Sequence, residues 1–183
     1  MDTIVDDCLE MIIRNMDYKT LINFQQTSVY YFEFIKNREE EIYKNLLEKD
    51  FGVKYKNPKK TYLQLKKMDL NGEWLVDNWL YFENSTIKQN YTTIIRSDGK
   101  SFSADGMMDD YVEFKINGNI DGIKISGDVE FFEDTKPLGV STFSGQINLE
   151  KYLRSTVLQI ETTYKYEYDV ISCNGRTIAN KCV

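Results

Sequence analysis

The sequence contains no histidine. That absence removes the commonest general base and metal ligand, and with it every Ser-His or Cys-His arrangement for nucleophilic catalysis. Cysteine is scarce, at three residues in 183. Cys8 falls in an early helical pattern, while Cys173 and Cys182 lie near the other end without the paired spacing of a zinc set, as suits a reducing compartment. Neither a Gly-x-x-x-x-Gly-Lys phosphate loop nor a Gly-x-Gly-x-x-Gly fingerprint occurs. No apolar run approaches a membrane span, and the stretch from Met1 to Asp7 is acidic where a signal peptide would be basic and then apolar. The expectation is therefore an intracellular protein of cytoplasm or nucleus, in which the sequons Asn84-Ser85-Thr86 and Asn90-Tyr91-Thr92 are chance matches. It is also expected to be no enzyme, with no catalytic residues, no cofactor and no metal site.

Charge divides unevenly along the chain. Residues 1–70 hold twelve basic and twelve acidic side chains, whereas residues 71–183 hold eleven and seventeen and carry the whole net charge of −6. An acidic half of this kind is a poor partner for nucleic acid. Six lysines between Phe51 and Met68 run without an intervening acid, and read as a solvated helix face and linker. Asp105, Asp109, Asp110 and Glu113 cluster around Gly106 with the wrong spacing for a calcium loop, and read as a solvated turn.

Helical periodicity governs residues 1–70. Val5, Leu9, Ile12 and Met16 fall on one face of a 3.6-residue helix, and Ile4, Cys8 and Ile13 widen that face beyond a single stripe. Asp17 is placed to cap a second helix with Leu21, Ile22 and Phe24, and Thr27 or Ser28 a third with Tyr31, Phe32, Phe34 and Ile35. A fourth helix, Glu39 to Lys49, ends at Phe51-Gly52, and Asn57-Pro58 reads as the cap and first turn of a fifth. A bundle of roughly 45 residues buries too little surface to stand securely alone. Each large apolar side chain left in water forfeits about 1.5–3 kcal/mol. Either the rest of the chain or a partner protein is needed to cover the excess.

Ile4, Asp7, Cys8, Leu9, Ile12, Ile13, Met16 and Asp17 occupy, without a gap, the apolar and acidic positions of an F-box. The likeness continues through Leu21, Phe24, Thr27-Ser28 and the aromatic run Val29 to Phe34, and over Lys49-Asp50-Phe51-Gly52. Val5 stands where the family usually has proline, and no Arg-x-Trp-like stretch follows Ser28. The amino-terminal third thus resembles an F-box. That resemblance implies a non-catalytic substrate adaptor of a Skp-cullin-F-box ubiquitin ligase, docking on the Skp-type adaptor and the cullin-RING ligase. The docking residues it implies are Ile4, Val5, Leu9, Ile12, Ile13, Met16, Leu21 and Phe24, some of which must serve the bundle's own core. F-box proteins also occur in large DNA viruses, and the Asn, Lys, Ile and Tyr content suits an AT-rich genome.

After Asn71-Gly72 the period changes to two. From Leu158 to Val170 the residues Leu158, Ile160, Thr162, Tyr164, Tyr166, Tyr168 and Val170 share one face. Similar alternation predicts about eight strands, near residues 73–83, 86–96, 100–105, 110–117, 120–133, 138–149, 155–171 and 176–182. Asp98-Gly99, Asn117-Gly118 and Asn174-Gly175 read as tight hairpin turns, the last placing Cys173 opposite Arg176. Sequential hairpins with one wet face predict an antiparallel meander that closes on itself. The fold class is therefore α+β, an F-box-like helical bundle over 1–70 followed by an eight-stranded up-and-down β-barrel over 71–183 that recognises the target protein. Gly72-Glu73-Trp74 is similar to the Gly-x-Trp that opens lipocalin-like barrels, which implies that Trp74 plugs one end. Trp74, Trp79, Tyr91, Tyr164, Tyr166 and Tyr168 are the candidate ligand or target residues, since such rings fill a core, line a pocket or anchor a protein contact. The alternative is a small-ligand-binding barrel braced by the helices, with no ligase role.

Overall fold

The computed structural model describes residues 2–108, 111–168 and 171–182, with side chains for 5–108, 111–166 and 173–182. The chain divides into two compact units, Met1–Met68 and Asp69–Val183.

The first unit is helical throughout: α1 (Asp2–Asn15), α2 (Tyr18–Gln25), α3 (Val29–Asn37), α4 (Glu39–Phe51) and α5 (Pro58–Leu65). Its breaks are local events. The Asp17 carboxylate accepts the Thr20 amide at 2.7 Å and starts α2, and Ser28 Oγ accepts the Tyr30 amide at 3.2 Å and starts α3. Each satisfies one of the amides that a helix start leaves without an intrahelical partner. Gly52 ends α4 in the left-handed conformation, φ 67°, which costs glycine little. Pro58 sits in the first turn of α5, but Asn57 before it has φ 56° and makes no side-chain cap bond, contrary to expectation.

Leu9 and Ile13 of α1, Leu21 of α2, Phe34 and Ile35 of α3, and Ile42, Leu46 and Leu47 of α4 are buried. The α4–α5 hairpin adds a ring cluster in which Tyr62 lies 5.4 Å from Tyr18, 5.7 Å from Tyr43 and 5.6 Å from Phe51. The Tyr62 hydroxyl donates to Asp50 at 2.5 Å, so this buried phenol keeps a polar partner.

The second unit is a closed barrel of eight strands in sequential order: β1 (Gly72–Tyr81), β2 (Thr86–Ser97), β3 (Ser101–Met107), β4 (Val112–Asp121), β5 (Lys124–Glu133), β6 (Lys136–Ile147), β7 (Gln159–Tyr168) and β8 (Ile171–Lys181). Each strand is antiparallel to the next, and β8 pairs back on β1 from Trp74 opposite Lys181 to Tyr81 opposite Asn174. Closure removes the free edges that an open meander would present. Inward positions alternate as the sequence predicts: Trp74, Val76 and Asn78 are buried on β1, and Ile125, Val129 and Phe131 on β5.

Three expectations for the barrel unit fail. Asn117-Gly118 lies inside β4 and Asn174-Gly175 inside β8, so neither is a turn. Their glycines make room for rings from neighbouring strands: a Cβ on Gly118 would lie 2.4 Å from the Phe102 ring, and one on Gly175 2.0 Å from that of Tyr164. With no turn there, Cys173 faces Tyr166 across the β7–β8 ladder rather than Arg176. It is a buried free thiol, and Cys182 is free as well. Third, residues 149 and 155, assigned to strands, bound a short helix α6 (Leu149–Ser155), whose Asn148 cap accepts the Lys151 amide at 3.1 Å and whose Tyr152 is buried.

Candidate functional site

On α1, apolar side chains cover more than a single stripe, opposite a polar sector of Asp6, Asp7, Glu10 and Arg14, and the bundle uses only part of them. Leu9 and Ile13 point into the core, Ile13 at 4% exposure. Val5, Cys8 and Ile12, spaced three and four apart, form the adjoining stripe; all three are exposed, Ile12 at 53%, as is Met11 beside them. Met16 is half-buried at the end of that stripe.

The eight residues named for docking therefore separate. Leu9, Ile13 and Leu21 are buried within their own bundle, and are the members of the set that serve its core. Val5 and Ile12 are exposed, Met16 and Phe24 are half-buried, and the side chain of Ile4 lies outside the described residues. Phe24 stacks on Tyr31 with ring centroids 4.3 Å apart.

On α3, Val29, Tyr30 and Phe32 are exposed, Val29 at 79%. None of these three was among the residues named for docking, although the i, i+3 spacing of Val29 and Phe32 places them on one stripe, apart from buried Phe34 and Ile35. A shallow depression is lined by Gln25, Gln26, Ser28, Val29 and Phe32. The helices are held to one another by polar contacts: the Tyr30 hydroxyl donates to Asp6 at 2.7 Å, Arg14 reaches Glu41 at 3.0 Å, and Arg38 lies 3.8 Å from Asp6.

The aromatic candidates of the barrel separate in the same way. Trp74 is wholly buried, its indole N–H donating to the Leu70 carbonyl at 2.9 Å. Tyr91 and Tyr164 line an interior cavity of about 80 Å³, with Phe114, Val129, Phe131 and Phe143 among the apolar wall. Tyr166 packs against Phe131 at 5.3 Å. Trp79 is on the outward face of β1, half-buried beneath the ammonium of Lys88 at 5.2 Å, so it shares no site with the other rings. The side chain of Tyr168 lies outside the described residues.

One polar group in the cavity wall escaped the sequence reading. Asn78, 1% exposed, accepts the Tyr164 hydroxyl at 2.8 Å and that of Thr177 at 3.0 Å, and donates to Gln89 at 3.2 Å. Its place in the alternation Trp74, Val76, Asn78 was the available signal. Burial pushes the Tyr164 phenol up to about 12 and raises that of Tyr91 further, so both rings stay neutral across the physiological range.

Of the acidic cluster near Gly106, Asp105 is exposed and pairs with Arg96 at 2.7 Å, and Glu113 is exposed. Asp109 and Asp110 lie outside the described residues. Among the described residues no group of three or more acidic or cysteine side chains is gathered to hold a metal ion. No described helix is long and apolar enough to cross a membrane.

No protein-family model matches the chain, and no curated protein matches it significantly. Among solved structures it is similar to crystal structures of two mutants of the vaccine antigen transferrin binding protein B from Haemophilus parasuis Hp5. The single mutant aligns at 16% identity over 64% of this chain and 28% of that one, with a TM-score of 0.38. The double mutant aligns at 17% identity over 63% and 26%, with a TM-score of 0.37. The chain thus spans little more than a quarter of the length of those proteins, and a likeness at that level carries no functional argument.

Proposed function

We propose that this protein is a substrate adaptor of a Skp-cullin-F-box ubiquitin ligase. In this reading α1 to α3 dock on a Skp-type adaptor protein and the barrel holds a target protein. The observation that carries the reading is the stripe Val5, Cys8 and Ile12 with Met11, on a helix whose other face is already committed to Leu9 and Ile13. The buried core of the bundle, Leu9, Ile13, Leu21, Phe34, Ile35, Ile42, Leu46 and Leu47 among its members, does not include these side chains, so their apolar character is not used by that core. Burial against a partner would recover roughly 1.5–3 kcal/mol for each large side chain fully covered. The spacing from Ile4 to Asp17 resembles an F-box and names the class of partner.

The role needs no chemistry from this chain. An adaptor raises the local concentration of a target beside the conjugating enzyme, so affinity and geometry are its whole contribution. The reading places the protein in the cytoplasm or nucleus, where such ligases act. Trp79, Tyr81 and Leu75 on the outward side of β1, half-buried or exposed, are the proposed beginnings of the target surface.

Co-expression of the full chain with a Skp-type adaptor, followed by size-exclusion chromatography, tests the proposal. Co-elution as a one-to-one complex is expected. Separate elution of two well-folded proteins would reject it.

A further inference from the structure

Tyr91 combines two properties. It retains accessible surface, yet it sits deep enough in the barrel for burial to raise its phenol pKa, with its ring 5.0 Å from that of Phe114. The surface it keeps is therefore wall of the interior cavity, which it lines. Its hydroxyl has no hydrogen-bond partner among the described residues, whereas every fully enclosed polar side-chain atom there is satisfied. The Asn78 carboxamide, also in the lining, already accepts from Tyr164 and Thr177 and donates to Gln89.

The rest of the lining defines what could enter. Among the described residues it carries no Lys, Arg, Asp or Glu, so an ion held by them would lose its hydration without a counter-charge. The walls are mainly aliphatic and aromatic, contributed by all of the strands around the barrel. At about 80 Å³ the cavity is several times the ~10–15 Å³ that one water requires, and has room for roughly five to seven non-hydrogen atoms.

We infer that the barrel interior is a binding site for a small uncharged molecule, apolar over most of its surface and carrying one acceptor oxygen that receives the Tyr91 hydroxyl. A ketone, aldehyde or ether oxygen meets that description; a carboxylate does not. The inference uses only residues of the barrel and is independent of the adaptor reading.

The full-length chain, with isoleucine and valine methyls isotopically labelled, is titrated by NMR with cyclopentanone, cyclopentane and butyrate. Expected are saturable shifts at Val129, Ile125 and Ile160, with cyclopentanone binding about fivefold tighter than cyclopentane and butyrate giving none. Tyr91→Phe, which keeps the ring and removes the donor, should bring cyclopentanone down to the affinity of cyclopentane without altering cyclopentane itself. A wild type that binds ketone and hydrocarbon equally, or a Tyr91→Phe protein that still prefers the ketone, overturns the role of the hydroxyl. Absence of saturable shifts with every probe, in a protein whose methyl spectrum is that of a folded barrel, overturns the site.

Discussion

The ring of Tyr164 lies directly over Gly175 of the adjacent strand, where a Cβ would come within 2.0 Å of it. The same ring sends its hydroxyl to Asn78, 86 positions earlier in the chain, at 2.8 Å. One glycine thus sets where an aromatic side chain rests and which strand it ties to the β7–β8 pair. Gly175→Ala should destabilise the barrel by about 1–3 kcal/mol through overpacking. Chemical denaturation of the full chain measures it, and the cost should shrink in a Tyr164→Leu background, where no ring covers the site.

Asn78 holds the other end of that contact. Asn78→Ala leaves the hydroxyls of Tyr164 and Thr177 without their acceptor in the barrel wall, at about 1–3 kcal/mol for each group left unsatisfied. Asn78→Asp keeps the shape but introduces a charge into an apolar interior, so its loss of stability should be greater at neutral pH than at pH below the carboxyl range. Thermal midpoints of the two variants across pH separate these effects.

Alkaline pH should unfold the protein in a defined window. Burial pushes the phenols of Tyr43 and Tyr164 up to about 12 and raises those of Tyr62 and Tyr91 as well. These groups ionise near 10 in the unfolded chain and later in the folded one, so their contribution is complete below pH 10 and lost as pH rises toward 12. Phenolate absorbance should show exposed tyrosines titrating first, and a second group appearing together with loss of the barrel's circular dichroism.

At the acid end the sign reverses. Hydrogen bonds from the Thr20 amide and side chain hold Asp17 below the usual carboxylate value of 3.8. Its contribution to α2 is therefore present above that value and is lost as pH falls through the folded-state pKa. Asp17→Asn retains an acceptor for the Thr20 amide but cannot titrate, so its helical signal should depend less on pH below 4 than that of the wild type.

Elements set by neighbouring residues were legible in the sequence, and elements set by distant ones were not. Asp17, Ser28 and Gly52 act within a few residues of themselves, and the helices begin and end where those residues lie. The barrel's alternation was equally plain along β7. The Asn117-Gly118 and Asn174-Gly175 pairs misled because the same dipeptide suits a tight turn or a strand crossed by a ring, and only the facing strand decides between them. Short α6 was hidden because Ile147 and Leu149 continue the two-residue apolar spacing of β6.

The candidate site was legible as a set and illegible in its division. The apolar residues of α1 span a broad arc, so periodicity could name Leu9, Ile12 and Ile13 together but not say which would face the bundle. Packing puts Ile13 inside and Ile12 outside. The alternation on β1 marks Asn78 as inward, but its partners Tyr164 and Thr177 reach it only when β7 and β8 come round to β1, which no local pattern displays.

That division supplies the decisive comparison. Calorimetric titration of a Skp-type adaptor into the full-length protein should give saturable binding for the wild type. Ile12→Asp should weaken it by roughly thirtyfold or more, the loss of a hot-spot side chain, with helical content and thermal midpoint unchanged because Ile12 is outside the core. Ile13→Asp, a carboxylate forced into that core, should instead unfold the helical unit. Wild-type protein that fails to bind the adaptor, or an Ile12→Asp variant that binds as well as wild type, would contradict the account.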